Sequence, residues 1–318
     1  LKHCIPYNEG NYNLLDYVPA KDSIIITKHK IKHDIEQLEY LLKQNCLPEI
    51  FKKVLANYQE LDQSLPESEP GKFLITLNNM QKSKIENVYG RNLYIEPVQT
   101  TKKQIISTEL EFADIQNDFL KNIPNFTFFD NFLTKEGLES LRQYCLCSTI
   151  WNIYQNSWGY IRSYIDDGFS CPLLYQIADE LRNKLPLVFR NLSIINMWAF
   201  KYDSKYSGVV THADEAIINV NFWITPDSAN LNSESGGMVV YPVEAPSEWN
   251  FKKYNTDTKQ IHQFLEKNNP KKIIIPHRQN RVVIFNSNMF HETDSFNFQD
   301  GYENRRINIT LLFGKRKK

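Results

Sequence analysis

The chain contains no apolar run near the roughly 20 residues that a membrane-spanning helix needs. Its start, Leu1-Lys2-His3-Cys4, lacks the apolar core of a secretory leader, and it also lacks an initiating Met, as a processed or partial chain would. Net charge is absent too: 37 basic residues balance 37 acidic ones. That balance argues against a general polyanion binder, and so against nucleic acid as partner. The basic end, Lys315-Arg316-Lys317-Lys318, reads as a solvated tail. Cysteine is scarce, with five scattered residues, which excludes a disulfide scaffold. Cys145 and Cys147 would point apart on a helix and read as structural, and free thiols fit a reducing cytoplasm.

What is present is enough apolar material for a sizeable core: 42% hydrophobic and 13% aromatic residues in 318. A β-branched run at 24–27 precedes two helical patterns. The first, Lys32–Asn45, carries Ile35, Leu38, Leu41 and Leu42; the second opens at Pro48 and carries Ile50, Phe51, Val54, Leu55 and Tyr58. This pair forms a helical hairpin that would dock on a larger domain, continue a helical repeat, or serve a second copy; a single pair is not itself a repeat. Residues 63–71 (QSLPESEPG) read as a linker. Short mixed elements follow, with a strand-like Asn92–Glu96.

Two parts are therefore expected: an N-terminal helical and irregular segment, 1–124, and a main domain, 125–318. The main domain opens with a strand at Phe126–Phe129 and a helix capped by Thr134 and running to about Cys145. A further helix spans Pro172–Lys184 and ends at Pro186. Strands then dominate: Ile194–Tyr202, Gly208–Thr211, Ile217–Thr225, Met238–Tyr241, Lys272–Ile275, Arg281–Phe285 and Arg306–Phe313. Many short strands after leading helices imply an α+β, mainly β architecture: a jelly roll with flanking helices.

Alternation assigns faces. Ile218, Val220, Phe222 and Ile224 share one face of their strand; Ile217, Asn219, Asn221 and Trp223 share the other. In the last strand Ile307, Ile309, Leu311 and Phe313 oppose Arg306, Asn308 and Thr310. Asn is depleted in strands, so Asn inside two of them asks for a polar interior.

His212 and Asp214 sit two apart at a strand end, so they point the same way; His291 comes much later, beyond the Arg281–Phe285 strand. Two imidazoles and one carboxylate on one face of a metal leave the opposite positions open, the donor set of non-haem Fe(II) oxygenases. Arg306 offers a two-pronged donor for the far carboxylate of a diacid that chelates the metal, and Asn308 adds a hydrogen bond from the same face. Arg305 points the other way and reads as a surface ion pair. His262 and His277 read as surface residues; His3, His29 and His33 show no partner pattern. The aromatic segment Trp151–Phe169, in which Trp158, Tyr160, Arg162 and Tyr164 alternate, is either a substrate lid or a packed edge. The loop Pro226–Gly237 is a second candidate for substrate contact.

The stretches HADEAIINVNFWIT, ESGGMVVY and NRRINITLLFG resemble Fe(II)/2-oxoglutarate-dependent oxygenases, of the bacterial type often found beside tetratricopeptide repeats. The resemblance covers about 126–314. It implies a double-stranded β-helix, Fe(II) on His212, Asp214 and His291, 2-oxoglutarate on Arg306, and O2 as the oxidant. Tyr202 matches a position where relatives place a co-substrate Tyr; a core aromatic is the other reading. Asn219 and Asn308 are further candidates for cofactor contact. Halogenating relatives replace the carboxylate by a small residue, so Asp214 favours hydroxylation. Nucleic-acid dealkylating relatives carry Arg-x-Asn-x-x-x-Arg; Leu312 stands where the second Arg belongs. The implied activity is hydroxylation of an unactivated C–H in a small molecule, amino acid or peptidyl side chain. The alternatives are a jelly-roll binding module without catalysis and a cupin-like metalloenzyme that does not use 2-oxoglutarate.

Overall fold

The computed structural model describes residues 24–66, 74–99, 103–155, 159–204 and 208–316. Trp158, His3, most of the stretch read as a linker and the last two lysines lie outside them. Among the described residues no helix is long and apolar enough to cross a membrane.

The N-terminal part begins with a two-stranded ribbon, Ile25–Ile26 (β1) against Ile75–Thr76 (β2). Between the strands run Lys28–Lys43 (α1) and Phe51–Ser64 (α2). The Thr27 side chain accepts from the Lys30 N–H, so α1 starts four residues before its apolar stripe suggests. Phe51, Val54, Tyr58 and Leu61 bury one face of α2 at helical spacing. Asn79–Ile85 (α3) and Phe112–Lys121 (α4) follow. The region 93–99, where a strand was expected, is irregular but still tied down: Thr149 donates its N–H to the Tyr94 carbonyl at 2.8 Å.

Phe126–Phe129 (β3) and Lys135–Cys147 (α5) come next, with Thr134 capping α5 through the Gly137 N–H. Ile153–Gln155 (β4) and Tyr160–Tyr164 (β5) form an edge hairpin. Pro172–Lys184 (α6) ends before Pro186, which opens the short helix Pro186–Phe189 (α7); a first-turn proline forfeits no helical hydrogen bond. The remaining elements are Ile194–Tyr202 (β6), Ile218–Trp223 (β7), Met238–Glu244 (β8), Phe251–Asn255 (α8), Thr258–Asn268 (α9), Ile273–Ile275 (β9), Val282–Asn286 (β10), Met289–Thr293 (β11) and Ile307–Phe313 (β12).

Seven strands form an antiparallel sheet in the order β3-β10-β7-β12-β6-β5-β4; three form a second, β11-β8-β9. The two sheets share an apolar layer: Trp223, Val283 and Phe285 of the large sheet pack with Met238, Val240, Ile275 and Met289 of the small one. This is a jelly roll of the double-stranded β-helix kind, with helices on the outer face of the large sheet. The greasy faces of β7 and β12 pack outward with α5 and α6, through Val220, Phe222, Ile309 and Leu311 on one side and Leu141, Leu174 and Ile177 on the other. The polar faces turn inward, as alternation required.

That outer core does not stop near residue 125. One continuous cluster includes Ile31, Leu41, Phe51 and Leu61 together with Leu141, Ile177, Val220 and Phe313. Polar links cross the same seam. Gln37 donates through Nε2 to the carbonyl of Ser148 at 3.0 Å. Arg305, expected on the surface, pairs with Glu36 of α1 at 2.9 Å with only 10% of its side chain exposed. It lies there because α1 covers the chain just before β12, where Arg305 stands. His33, which has no partner pattern in the sequence, is fully buried 3.4 Å from the Lys201 Nζ. His277 is also buried rather than exposed, since the turn after β9 folds it against Phe298. His262 is exposed on α9, as expected.

Candidate active site

His212 does not stand at the end of a regular strand. Gly208–Thr211 is irregular, and His212 makes a single antiparallel bridge to His291. The two residues exchange both backbone hydrogen bonds, His212 N–H to the His291 carbonyl at 3.0 Å and the reverse at 2.8 Å. Directly paired residues project side chains to one face, and the ring centroids are 4.3 Å apart. Asp214 is fixed by its own N–H donating to the Ser287 carbonyl at 3.0 Å.

The three side chains converge. Asp214 Oδ1 is 3.7 Å from His212 Nε2, and Asp214 Oδ2 is 3.5 Å from His291 Nε2. Ligands about 2.1 Å from one cation lie roughly 3.0–3.5 Å apart, so only slight closure is needed. The far nitrogens set the tautomer: His212 Nδ1 faces the Val210 carbonyl at 2.8 Å and His291 Nδ1 the Met289 carbonyl at 3.1 Å. Each Nδ1 therefore carries the proton, and each Nε2 presents a lone pair to the shared point. Burial, and then the neighbouring His212, push the His291 pKa down to about 4, which keeps the ring in its ligating neutral form. Asn219 of β7 donates from Nδ2 to Asp214 Oδ2 at 2.6 Å, so its amide steadies the carboxylate.

A narrow inner cavity of about 40 Å³ runs from this triad into the barrel, lined also by Asn221, Thr310, Asn308 and Arg306. Arg306 is 3% exposed. Its Nε donates to the Gly236 carbonyl at 2.6 Å, Nη2 to the Gly237 carbonyl at 2.8 Å, and Nη1 to Asn308 Oδ1 at 3.2 Å. These acceptors take three of the five N–H groups of the guanidinium. Its carbon lies 4.6 Å from the centre of the Tyr202 ring. Tyr202 thus packs its face on the guanidinium, while its hydroxyl sits 3.3 Å from Thr293 Oγ1. No carboxylate lies within ion-pair distance of Arg306 among the described residues. Burial pulls its pKa below the ordinary arginine value. A buried, unmatched cation is costly unless an anion completes it.

The glycine pair at the head of β8 makes this possible. A Cβ on Gly237 would lie 1.9 Å from the Ile275 carbonyl oxygen, so only glycine lets β8 meet β9 there. Gly236 adopts φ +86, a left-handed turn that side chains resist. In the sequence this pair stood in a loop read as a candidate for substrate contact; its carbonyls became visible as Arg306 acceptors only once the sheets had closed.

Outside the triad an open cleft of about 500 Å³ is walled by Tyr160, Tyr164, Trp198 and Phe200, with Asn255 and Lys315 also lining it. Tyr160 stacks on Phe200 at 4.4 Å, and the Arg162 guanidinium carbon lies 4.9 Å from the centre of the Tyr164 ring. The aromatic segment read as either lid or edge forms an edge hairpin, whose Tyr160 and Tyr164 face this cleft. The loop before β8 instead ends beneath Arg306.

No family profile matches the chain, and no curated protein matches it significantly. Several solved structures share a likeness. The non-haem α-ketoglutarate-dependent carbocyclase SnoK from nogalamycin biosynthesis is 12% identical, over 66% of this chain and 86% of that chain, with TM-score 0.48. A Pseudomonas putida prolyl-4-hydroxylase is 13% identical, over 65% of this chain and 100% of that chain, with TM-score 0.43. HygX from Streptomyces hygroscopicus, with nickel and 2-oxoglutarate bound, is 10% identical, over 66% of this chain and 88% of that chain, with TM-score 0.44.

Proposed function

We propose that this chain is an Fe(II)- and 2-oxoglutarate-dependent dioxygenase that hydroxylates an unactivated C–H of a small molecule, amino acid or peptidyl side chain. The observation that carries the reading is the buried guanidinium of Arg306, without a carboxylate partner among the described residues, lining the same cavity as the His212–Asp214–His291 cluster. Two neutral imidazoles and one carboxylate fit Fe(II) and leave positions for other ligands. Bound at these residues, Fe(II), 2-oxoglutarate and O2 would supply the oxidising chemistry, with the 2-oxo acid leaving as succinate and CO2 and one oxygen atom of O2 going to the substrate C–H.

The protein's part is placement. His212 and His291 hold their Nε2 lone pairs on one point through the Nδ1–carbonyl bonds. Asn219 keeps Asp214 oriented through the hydrogen bond that its amide donates to Oδ2. Arg306 would hold the distal carboxylate of 2-oxoglutarate, and the ring of Tyr202 keeps the guanidinium flat against that wall. The aromatic wall of the outer cleft takes the substrate beside the metal and excludes water from one side.

Anaerobic titration with Fe(II) and 2-oxoglutarate, followed by the visible metal-to-ligand charge-transfer band, tests the reading. The band should need both components. In Arg306→Gln the 2-oxoglutarate requirement should rise by about 10–100-fold, the worth of one or two charge-assisted hydrogen bonds, with Fe(II) binding unchanged. Equal 2-oxoglutarate affinity in the variant would remove the co-substrate assignment. Tight Fe(II) binding with no band would favour a metalloenzyme that does not use 2-oxoglutarate; no metal binding would favour a binding module.

A further inference from the structure

A second set of donors lies outside the barrel, where three separate stretches of chain meet. Cys46 follows the α1–α2 turn, just past Asn45 at φ 57. Cys147 is the last residue of α5. Glu96 lies in the irregular stretch between them, and its N–H donates to Ser148 Oγ at 3.1 Å. The two sulfurs are 3.9 Å apart, and the ligand atoms of all three residues lie within 4.8 Å of one another.

From this geometry we infer a structural Zn2+ site held by Cys46, Cys147 and Glu96, a clamp that fastens the helical hairpin to the helices over the barrel. Two thiolates bound at about 2.3 Å to one tetrahedral cation sit about 3.8 Å apart, close to the observed spacing. A disulfide would need them at about 2.05 Å. Thiolate pairs select soft or borderline cations, and the third ligand, a carboxylate, favours Zn2+ over Cu(I). The set therefore differs in kind from the two imidazoles and one carboxylate inside the barrel. Cys46 and Glu96 are only half-buried, so solvent has a path in for the ion and for a fourth, water ligand. Gln143 Nε2 lies 3.0 Å from Cys147 Sγ, and Tyr94 donates its hydroxyl to Glu96 Oε2 at 2.8 Å; both fix donors in place. Burial pushes the Cys147 thiol well above its ordinary value, so binding must expel its proton as the metal–sulfur bond forms.

The test uses the reduced, metal-free full chain and Co2+ as a spectroscopic probe. Thiolate-to-cobalt charge-transfer absorption in the near ultraviolet is expected, saturating as one site and displaced by Zn2+; the imidazole and carboxylate donors of the barrel cluster cannot produce it. Cys46→Ser and Cys147→Ser should each lose it. Glu96→Gln should keep the sulfur band and weaken Zn2+ at least tenfold. Should a serine variant fail to fold, alkylation of the unaltered protein decides: Zn2+ should protect Cys46 and Cys147 together, by at least tenfold in rate. Absence of the sulfur band in the unaltered protein, its survival in either serine variant, or alkylation indifferent to Zn2+ overturns the site. So does recovery of a Cys46–Cys147 disulfide from fresh protein that then takes up no metal.

Discussion

Single residues show how far chemistry can be read from a residue's type without its surroundings. His277 follows a proline in a turn and has the profile of a surface histidine, yet it is 4% exposed, and neither ring nitrogen has a hydrogen-bond partner. Burial first, then Arg306 and Arg281, push its pKa down to about 3. An unfolded histidine titrates near 6.5. Between those values the unfolded chain binds a proton that the folded chain refuses, so stability is full above about pH 6.5 and falls as pH drops towards 3. His277→Leu should remove this loss. Urea titration of the metal-free proteins should find them within about 1 kcal/mol at pH 7, and the variant about 2–4 kcal/mol ahead of that difference at pH 4. Parallel pH profiles would show that His277 does not carry the acid sensitivity. His212 and His291 differ from His277 in their Nδ1–carbonyl bonds, which face a histidine towards a ligand rather than merely hide it.

At the scale of elements, the two-faced strands explain most of the architecture, and β6 carries one exception. Trp198, Phe200 and Tyr202 face the cavities, while Met197 and Ala199 join the outer core, and Lys201 follows them outward. Its Nζ donates to the Tyr302 hydroxyl at 2.9 Å and lies 4.3 Å from the ring centres of both Trp151 and Tyr302. No carboxylate pairs with it among the described residues, and burial holds its pKa well below the ordinary lysine value. The unfolded chain keeps that proton up to about pH 10.4, so the native protein should gain stability as pH rises towards that value. Lys201→Met should stabilise by about 1–3 kcal/mol at pH 7, with the gain shrinking by pH 10; Tyr302 keeps its own bond to the Leu146 carbonyl. Denaturant midpoints at the two pH values read both effects, and a less stable variant at pH 7 would mean that the ammonium is needed.

For the whole molecule, the shared core decides whether the barrel can stand alone. Ile31, Leu41, Phe51 and Leu61 are fully buried and belong to the cluster that backs β7 and β12. Each is worth about 1.5–3 kcal/mol of burial, and the apolar surface they cover would otherwise face water. A chain beginning at residue 104 should therefore be insoluble or expanded, without cooperative unfolding, as gel filtration and near-ultraviolet circular dichroism would show. A compact, monomeric fragment that still gives the Fe(II)–2-oxoglutarate band would make the barrel an independent domain.

Much of this was legible in the residues alone. Alternation along 217–224 and 306–313 determined which side chains face inward, because a strand's period of two admits only two faces. The bounds of β3, β6 and α6 followed from apolar pattern and proline placement, which are local signals. His212, Asp214, His291 and Arg306 could be singled out as candidate donors because metal and anion chemistry tolerate few residue types. Tertiary structure alone decided the rest. The His212–His291 bridge, the Gly236 and Gly237 carbonyls beneath Arg306, the burial of His277 and Lys201, the pairing of Arg305 with Glu36, and the meeting of Cys46 with Cys147 all join residues distant in sequence. No local periodicity encodes such contacts; they exist only once two sheets and a helical layer have closed on one another.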